Sequence, residues 1–168
     1  MNNISSGIEN ILIKEVKNFD LNFVLEIKKL EIENLGKISG INEWVIPVII
    51  KYGKLIIAVK NDKNPNNNKE NLIVGVNELI RDWNDINCAF IHSFYIKEGY
   101  RNQGIGTILL KESIEILKKE NIKKIELTVD PKNYAAIKLY EKFGFKRIAF
   151  IKDLYGKNIN RNIMACEI

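Results

Sequence analysis

At 168 residues, with 46% apolar and 28% charged side chains, the chain has the makeup of one globular domain large enough to bury a core. Two cysteines and one histidine (Cys88, Cys166, His92) are too few and too scattered for a zinc site, so no metal is expected; the longest apolar run, Trp44 to Ile50, is broken by Pro47 and too short to cross a bilayer. The net charge of +5 lies wholly within residues 97–147, which hold twelve Lys or Arg against seven Asp or Glu. A basic stretch suits a polyanionic cofactor and would also suit nucleic acid, but no recognition element with interleaved aromatics accompanies it, so no nucleic-acid partner is expected.

In chain order, the opening residues lack the basic start and apolar stretch of a signal peptide. A flexible tail over 1–8, a cytoplasmic location and no membrane partner are the expectations. Ile11 to Val16 reads as a strand. Leu21 to Leu35 repeats apolar residues at helical spacing, and a second helix is expected over Ile41 to Tyr52 with Pro47 as an interruption. Leu55 to Val59 is a strand, Asn61 to Glu70 a polar hairpin loop, and Leu72 to Ile80 and Cys88 to Ile96 two further strands. Leu110, Ile114 and Leu117 mark a helix running to about Asn121; Ile125, Leu127 and Val129 alternate as a half-buried strand. A helix after Asn133 carries Ala136, Leu139, Tyr140 and Phe143 on one face and ends at Gly144. Lys146 to Ile151 and Asn162 to Ile168 complete a mixed sheet, with 1–168 as a single domain.

The segment Arg101-Asn102-Gln103-Gly104-Ile105-Gly106-Thr107 joins a strand to a helix and reads as an anion-binding turn. Two glycines one residue apart let the backbone approach a ligand, and the first amides of a helix lack intrahelical acceptors. Arg101 adds a permanent charge. A dinucleotide fingerprint would need glycine at Leu109, and a P-loop would need Lys and Ser or Thr at Ile105 and Gly106.

Arg101 to Gly106 matches the Arg/Gln-x-x-Gly-x-Gly/Ala motif of the GNAT family of N-acetyltransferases, and Asn133 to Phe145 (NYAAIKLYEKFGF) resembles that family's second signature. Their separation and the order of elements from about residue 11 to 168 are also similar. The resemblance implies an α/β (α+β) three-layer fold: a central mixed, mostly antiparallel sheet of six to seven strands, splayed between the family's strands 4 and 5 and flanked by about four helices. It further implies acetyl-CoA as acyl donor, its pyrophosphate held by Arg101, Asn102, Gln103, Gly104, Ile105, Gly106 and Thr107. Main-chain groups of Phe94 and Ile96 would meet the pantetheine arm in the gap beside Lys124 to Val129, with Asn133 and Ala136 touching the same cofactor.

Tyr140 stands where similar enzymes place the acid that protonates the departing thiolate. An amine must shed its proton before attacking a thioester, and two residues compete as the base: His92 in the strand before the turn, and Glu78 on the preceding strand. In ribosomal-protein N-terminal acetyltransferases a glutamate twelve residues before the tyrosine serves as base, whereas Thr128 stands there in this chain. Asp153-Leu154-Tyr155-Gly156 resembles the hairpin that walls the acceptor site in such enzymes, and Glu26, Glu33, Glu43 and Asp153 lie in regions that supply the wall. The segment from Ile41 to Pro47 is read either as a lid over the acceptor or as a packed helix. Expected partners are a small-molecule amine or a peptide N-terminus, with a possible homodimer. The leading reading is an acetyl-CoA-dependent N-acetyltransferase; an acyl-CoA-binding regulator without efficient catalysis is the alternative.

Overall fold

The computed structural model describes residues 10–36, 43–61 and 71–168, together with the main chain of Ile4 and Ser5. The polar loop expected over Asn61 to Glu70 lies outside the described residues beyond Asn61, as do Ile41 and Asn42 at the start of the proposed lid and most of the expected tail. One eight-stranded sheet has the order β1-β2-β3-β4-β5-β6-β8-β7, in which the two-residue β1 (Ile4–Ser5) adds a strand to the six or seven expected. The ladders β1–β2, β2–β3, β3–β4, β6–β8 and β7–β8 are antiparallel, and β5–β6 is parallel. The chain falls into two compact units, residues 1–79 with 93–113 and residues 80–92 with 114–168.

The first unit is built on β2 (Ile11–Val16), β3 (Lys54–Lys60), most of β4 (Leu72–Arg81) and the end of β5 (Cys88–Ile96). Helix α1 (Leu21–Leu35) starts where the Asp20 carboxylate accepts the Phe23 N–H at 2.8 Å and stops at Gly36, whose φ of 86° is open to glycine. Its buried stripe is Val24, Ile27, Leu30 and Glu31. Helix α2 (Val45–Tyr52) runs through Pro47 without a break, because Pro47 sits in the first turn, where its missing N–H has no intrahelical acceptor to lose. Ile46, Ile49 and Ile50 join the α1 stripe over Leu55, Ile57, Val59, Ile73, Val76 and Tyr95. On the other face, a Cβ at Gly75 would stand 2.6 Å from Ile96 Cδ1 and 3.2 Å from Leu109 Cδ2, so any larger residue would push these side chains of β5 and of helix α3 (Ile105–Lys119) aside. Leu109 is fully buried, and truncating it to Ala would cost roughly 2–5 kcal/mol.

The second unit holds the β4–β5 hairpin tip, the end of α3, β6 (Lys124–Val129), α4 (Tyr134–Lys142), β7 (Lys146–Ile151) and β8 (Arg161–Glu167). Ile125, Leu127 and Val129 alternate into its core with Ile114, Leu117, Ile122, Phe145 and Met164. Past α4 the Phe145 N–H returns to the Tyr140 carbonyl at 3.2 Å, and Gly144 takes φ 87°, the left-handed turn that ends many helices.

Candidate functional site

The anion-turn reading rests on main-chain geometry. A short 3-10 turn, Glu98–Tyr100, leads into Arg101, after which Asn102 and Gly104 adopt φ of 61° and 80°. Such alternation turns consecutive N–H groups to one side. The first α3 bond is Ile108 N–H to the Gly104 carbonyl, so among the described residues the N–H groups of Gln103 to Thr107 donate to no main-chain acceptor. Ile105 is buried and fixes the helix start, while Arg101 to Gly104 are exposed. The Gln103 side chain folds back to donate to the Gly99 carbonyl at 3.0 Å.

Arg101 does more than add charge. Its Nε donates to the Ile96 carbonyl at 3.0 Å and its Nη2 to Asn34 Oδ1 at 3.1 Å, and Asn34 in turn donates to the Leu30 carbonyl at 2.7 Å. One of the two lone pairs of the Ile96 carbonyl is therefore used within the chain, and Arg101 ties the turn to the last part of α1. The same helix holds β5 twice more. Ser93 Oγ donates to Glu31 Oε1 at 2.8 Å, and Tyr95 OH makes a long 3.5 Å contact to the Ile27 carbonyl. Burial, then the charges of Glu31 and Glu78, push the Tyr95 phenol far above its ordinary range.

Glu78 is thus not an ordinary strand carboxylate. It is 0% exposed, and so is Glu31. Its neighbour Asn77 turns to the opposite face of β4 and donates to Ser113 Oγ at 2.8 Å, which in turn donates to the Leu109 carbonyl. Glu31 was missed in the sequence although a signal existed: it stands on the buried helical stripe with Val24 and Ile27.

In the second unit the parallel ladder spans only Cys88–Ile91 on β5 and Lys124–Leu127 on β6, while β6 stays paired with β8 up to Val129 opposite Asn162. His92 and Thr128 are the first residues past this fork. His92 is exposed. Thr128 Oγ1 lies 3.2 Å from Tyr155 OH, and the Arg161 guanidinium rests over the Tyr155 ring at 5.5 Å. Thr128 thus engages Tyr155 of the tail hairpin, at the position where the resembling subgroup carries its base; Arg161 gave no sequence signal.

Asn133 caps α4, its Oδ1 accepting the Ala136 N–H at 3.2 Å. Tyr140 is 5% exposed and packs against Phe145 with ring centroids 5.6 Å apart, and burial pushes its phenol well above the ordinary value. Of the acids expected near an acceptor, Glu43 pairs with Lys28, which holds its carboxyl below the usual range, and Glu33 with Lys29. Both cysteines are free and buried. Among the described residues no His, Cys, Asp or Glu cluster could hold a metal, and no helix is long and apolar enough to cross a membrane.

Known proteins resemble this chain in sequence and in fold. The N-alpha-acetyltransferase of Saccharolobus solfataricus is 39% identical over 74 residues, 44% of each chain, and that of Sulfolobus acidocaldarius 34% over 79 residues, 46% of this chain and 47% of the relative. The chain thus matches about half the length of these curated relatives. Among solved structures, Ard1 from Thermoplasma volcanium superposes with a TM-score of 0.75 at 17% identity over 95% of this chain and 98% of its own. A chain of the NatC complex, bound to Gag peptide and CoA, reaches 0.79 at 21% over 95% and 99%. These two share the fold. Residues 42–145 match the model of the acetyltransferase (GNAT) family, and with that match covering most of the chain, the protein belongs to the GNAT acetyltransferase family.

Proposed function

We propose that the chain is one catalytic domain that transfers an acetyl group from acetyl-CoA to a primary amine of a small molecule or a peptide N-terminus, by direct attack. The observation that carries this reading is the row of main-chain N–H groups from Gln103 to Thr107 without main-chain acceptors, at the positive end of α3. These donors fit a diphosphate. Arg101 stands beside them with its charge intact, although two of its donors are already used. Relatives named N-alpha-acetyltransferases favour the peptide N-terminus among acceptors, and CoA is present in the NatC structure.

Acetyl-CoA supplies an activated acyl group as a thioester. The roles of the chain's own residues follow. Gln103 to Thr107 hold the diphosphate, main-chain groups of Phe94 and Ile96 receive the pantetheine arm, and Asn133 and Ala136 at the start of α4 support it. Tyr140 donates its hydroxyl proton toward the leaving sulfur. A phenol is already a weaker acid than a thiol, near 8.5, and burial raises Tyr140 further, so Tyr140 acts by hydrogen bonding to the developing thiolate more than by complete proton release. His92 or Glu78 takes the proton that the amine loses. His92 is the exposed choice beside the fork, whereas Glu78 needs a relay from its buried position. The reaction places no demand for a metal, and the location is proposed to be cytoplasmic.

The test is a thiol-release assay with acetyl-CoA and a panel of amines and peptides. Stoichiometric acetylated product with CoA is expected. Tight CoA binding without product from any amine would favour the regulator, and absence of CoA binding at millimolar concentration would end the assignment. Light scattering on the same sample tests the possible homodimer.

A further inference from the structure

We infer that Arg161 reads a carboxylate on the acceptor, so that the preferred substrate is an amine carrying an acidic group a short distance from its nitrogen. The inference deepens the proposed transferase reading and rests on it for the location of the acceptor.

Three observations in the second unit lead to it. The β5–β6 ladder ends at Ile91 and Leu127, and Thr128, the next residue of β6, lies 3.2 Å from the hydroxyl of Tyr155. The tail hairpin is therefore anchored at the fork by a tyrosine whose side chain is otherwise open, 56% exposed. Arg161 holds its guanidinium carbon 5.5 Å from the centroid of that ring, and its Nη1 donates to the Asn160 carbonyl at 2.9 Å. Among the described residues it meets no carboxylate. A guanidinium has five N–H donors in a planar fork, and a cation–π contact with an aromatic ring consumes none of them. A fork tied down at one donor, with others to spare, matches the paired oxygens of a carboxylate.

The local acids do not cancel this charge. The Asp153 carboxylate accepts the Asn158 N–H at 2.5 Å and shapes the hairpin, while Lys152 and Lys157 on the same hairpin make no ion pair among the described residues. The hairpin thus presents cations. A positive group close to the acceptor also disfavours an ammonium and so favours the neutral amine that attacks. The carboxylate has two sources, a side chain next to a peptide N-terminus or the α-carboxylate of a free amino acid.

The experiment compares matched acceptors on the full chain: peptides sharing a first residue and differing only by Asp against Asn at the second, and a free amino acid against its amide. The wild type should favour the carboxylate member by about tenfold in kcat/KM, the effect of one charge-assisted contact. Arg161→Gln should erase that preference by raising KM for carboxylate acceptors while leaving neutral acceptors and the KM for acetyl-CoA within twofold; Arg161→Lys should restore part of it. A preference confined to one pair names the source. Calorimetry with the N-acetylated products gives a reading without turnover, with the Asp product binding more tightly than the Asn product only when Arg161 is present. Carboxylate-dependent binding without any turnover would overturn acetyl transfer but support this role of Arg161. Equal treatment of both members by the wild type, or a preference that survives Arg161→Gln, overturns the inference.

Discussion

Ser93 Oγ donates a 2.8 Å hydrogen bond to Glu31 Oε1, joining the end of β5 that has no β6 partner to the buried face of α1. Half of a strand that lacks one neighbour would ordinarily be free to fray. With Tyr95 on the Ile27 carbonyl and Arg101 on Ile96 and Asn34, α1 holds this half by side chains. Glu31→Ala removes the acceptor and leaves a buried hydroxyl unsatisfied, a loss of about 1–3 kcal/mol. Glu31→Gln keeps an acceptor oxygen and should recover most of it. Denaturant titration gives the stability, and amide exchange at Ser93 to Ile96 should accelerate in the Ala variant alone.

Tyr140→Phe keeps the ring packed on Phe145 and removes only the hydroxyl. With any change in stability read separately from a melting curve, kcat should fall by roughly 10²-fold or more, the usual scale for a positioned proton donor. The KM for acetyl-CoA should stay within about twofold, since the diphosphate contacts assigned to the turn are untouched. Burial raises the phenol, so no part of a rate decline below pH 10 should trace to its ionisation. An unchanged rate in steady-state assays would remove Tyr140 from the chemistry.

The architecture was legible because its local signals agreed with one another. The alternation of Ile125, Leu127 and Val129 gave β6, the Leu110, Ile114 and Leu117 stripe gave α3, and Gly144 gave the end of α4. Boundaries shifted by a residue or two where charged ends extend strands, as at Lys54 and Lys60. The long-range polar ties were not legible. Glu31 and Ser93 lie 62 residues apart, Arg101 and Asn34 67, and no local periodicity specifies which helix meets which strand. Glu78 was read for its chemistry but not its burial, because a lone carboxylate in an apolar strand is compatible with either face. Arg161 was not singled out in the sequence, because its place over the Tyr155 ring is set only by the folded hairpin.

The turn makes a sharper demand. Gly104 holds φ 80°, which an alanine adopts at a penalty of about 1–2 kcal/mol. Gly104→Ala should lower the melting temperature slightly and, by reorienting the amides of Gln103 to Thr107, weaken CoA binding about tenfold. Arg101→Ala should instead loosen Ile96 and Asn34 as well as removing a charge, so its CoA affinity should also depend less on salt. Calorimetry at two ionic strengths separates the two effects, and equal salt dependence in wild type and Arg101→Ala would deny the arginine an electrostatic role.

The cysteines give a prediction in pH. Burial pushes the Cys88 thiol up to about 11, and raises Cys166 as well. A thiol buried in its neutral form is a poor nucleophile, so native protein should resist iodoacetamide at pH 8 and react fully once unfolded. The sign of the linked stability follows from the same shift. Below pH 9 the Cys88 thiol is protonated in both states and its contribution is complete. As pH rises toward about 11 the unfolded thiol ionises first, which draws the chain toward unfolding. Melting temperatures measured from pH 7 to 11 should therefore decline above pH 9, and Cys88→Ala should decline less steeply than the wild type; parallel curves would show that Cys88 does not control the alkaline limb.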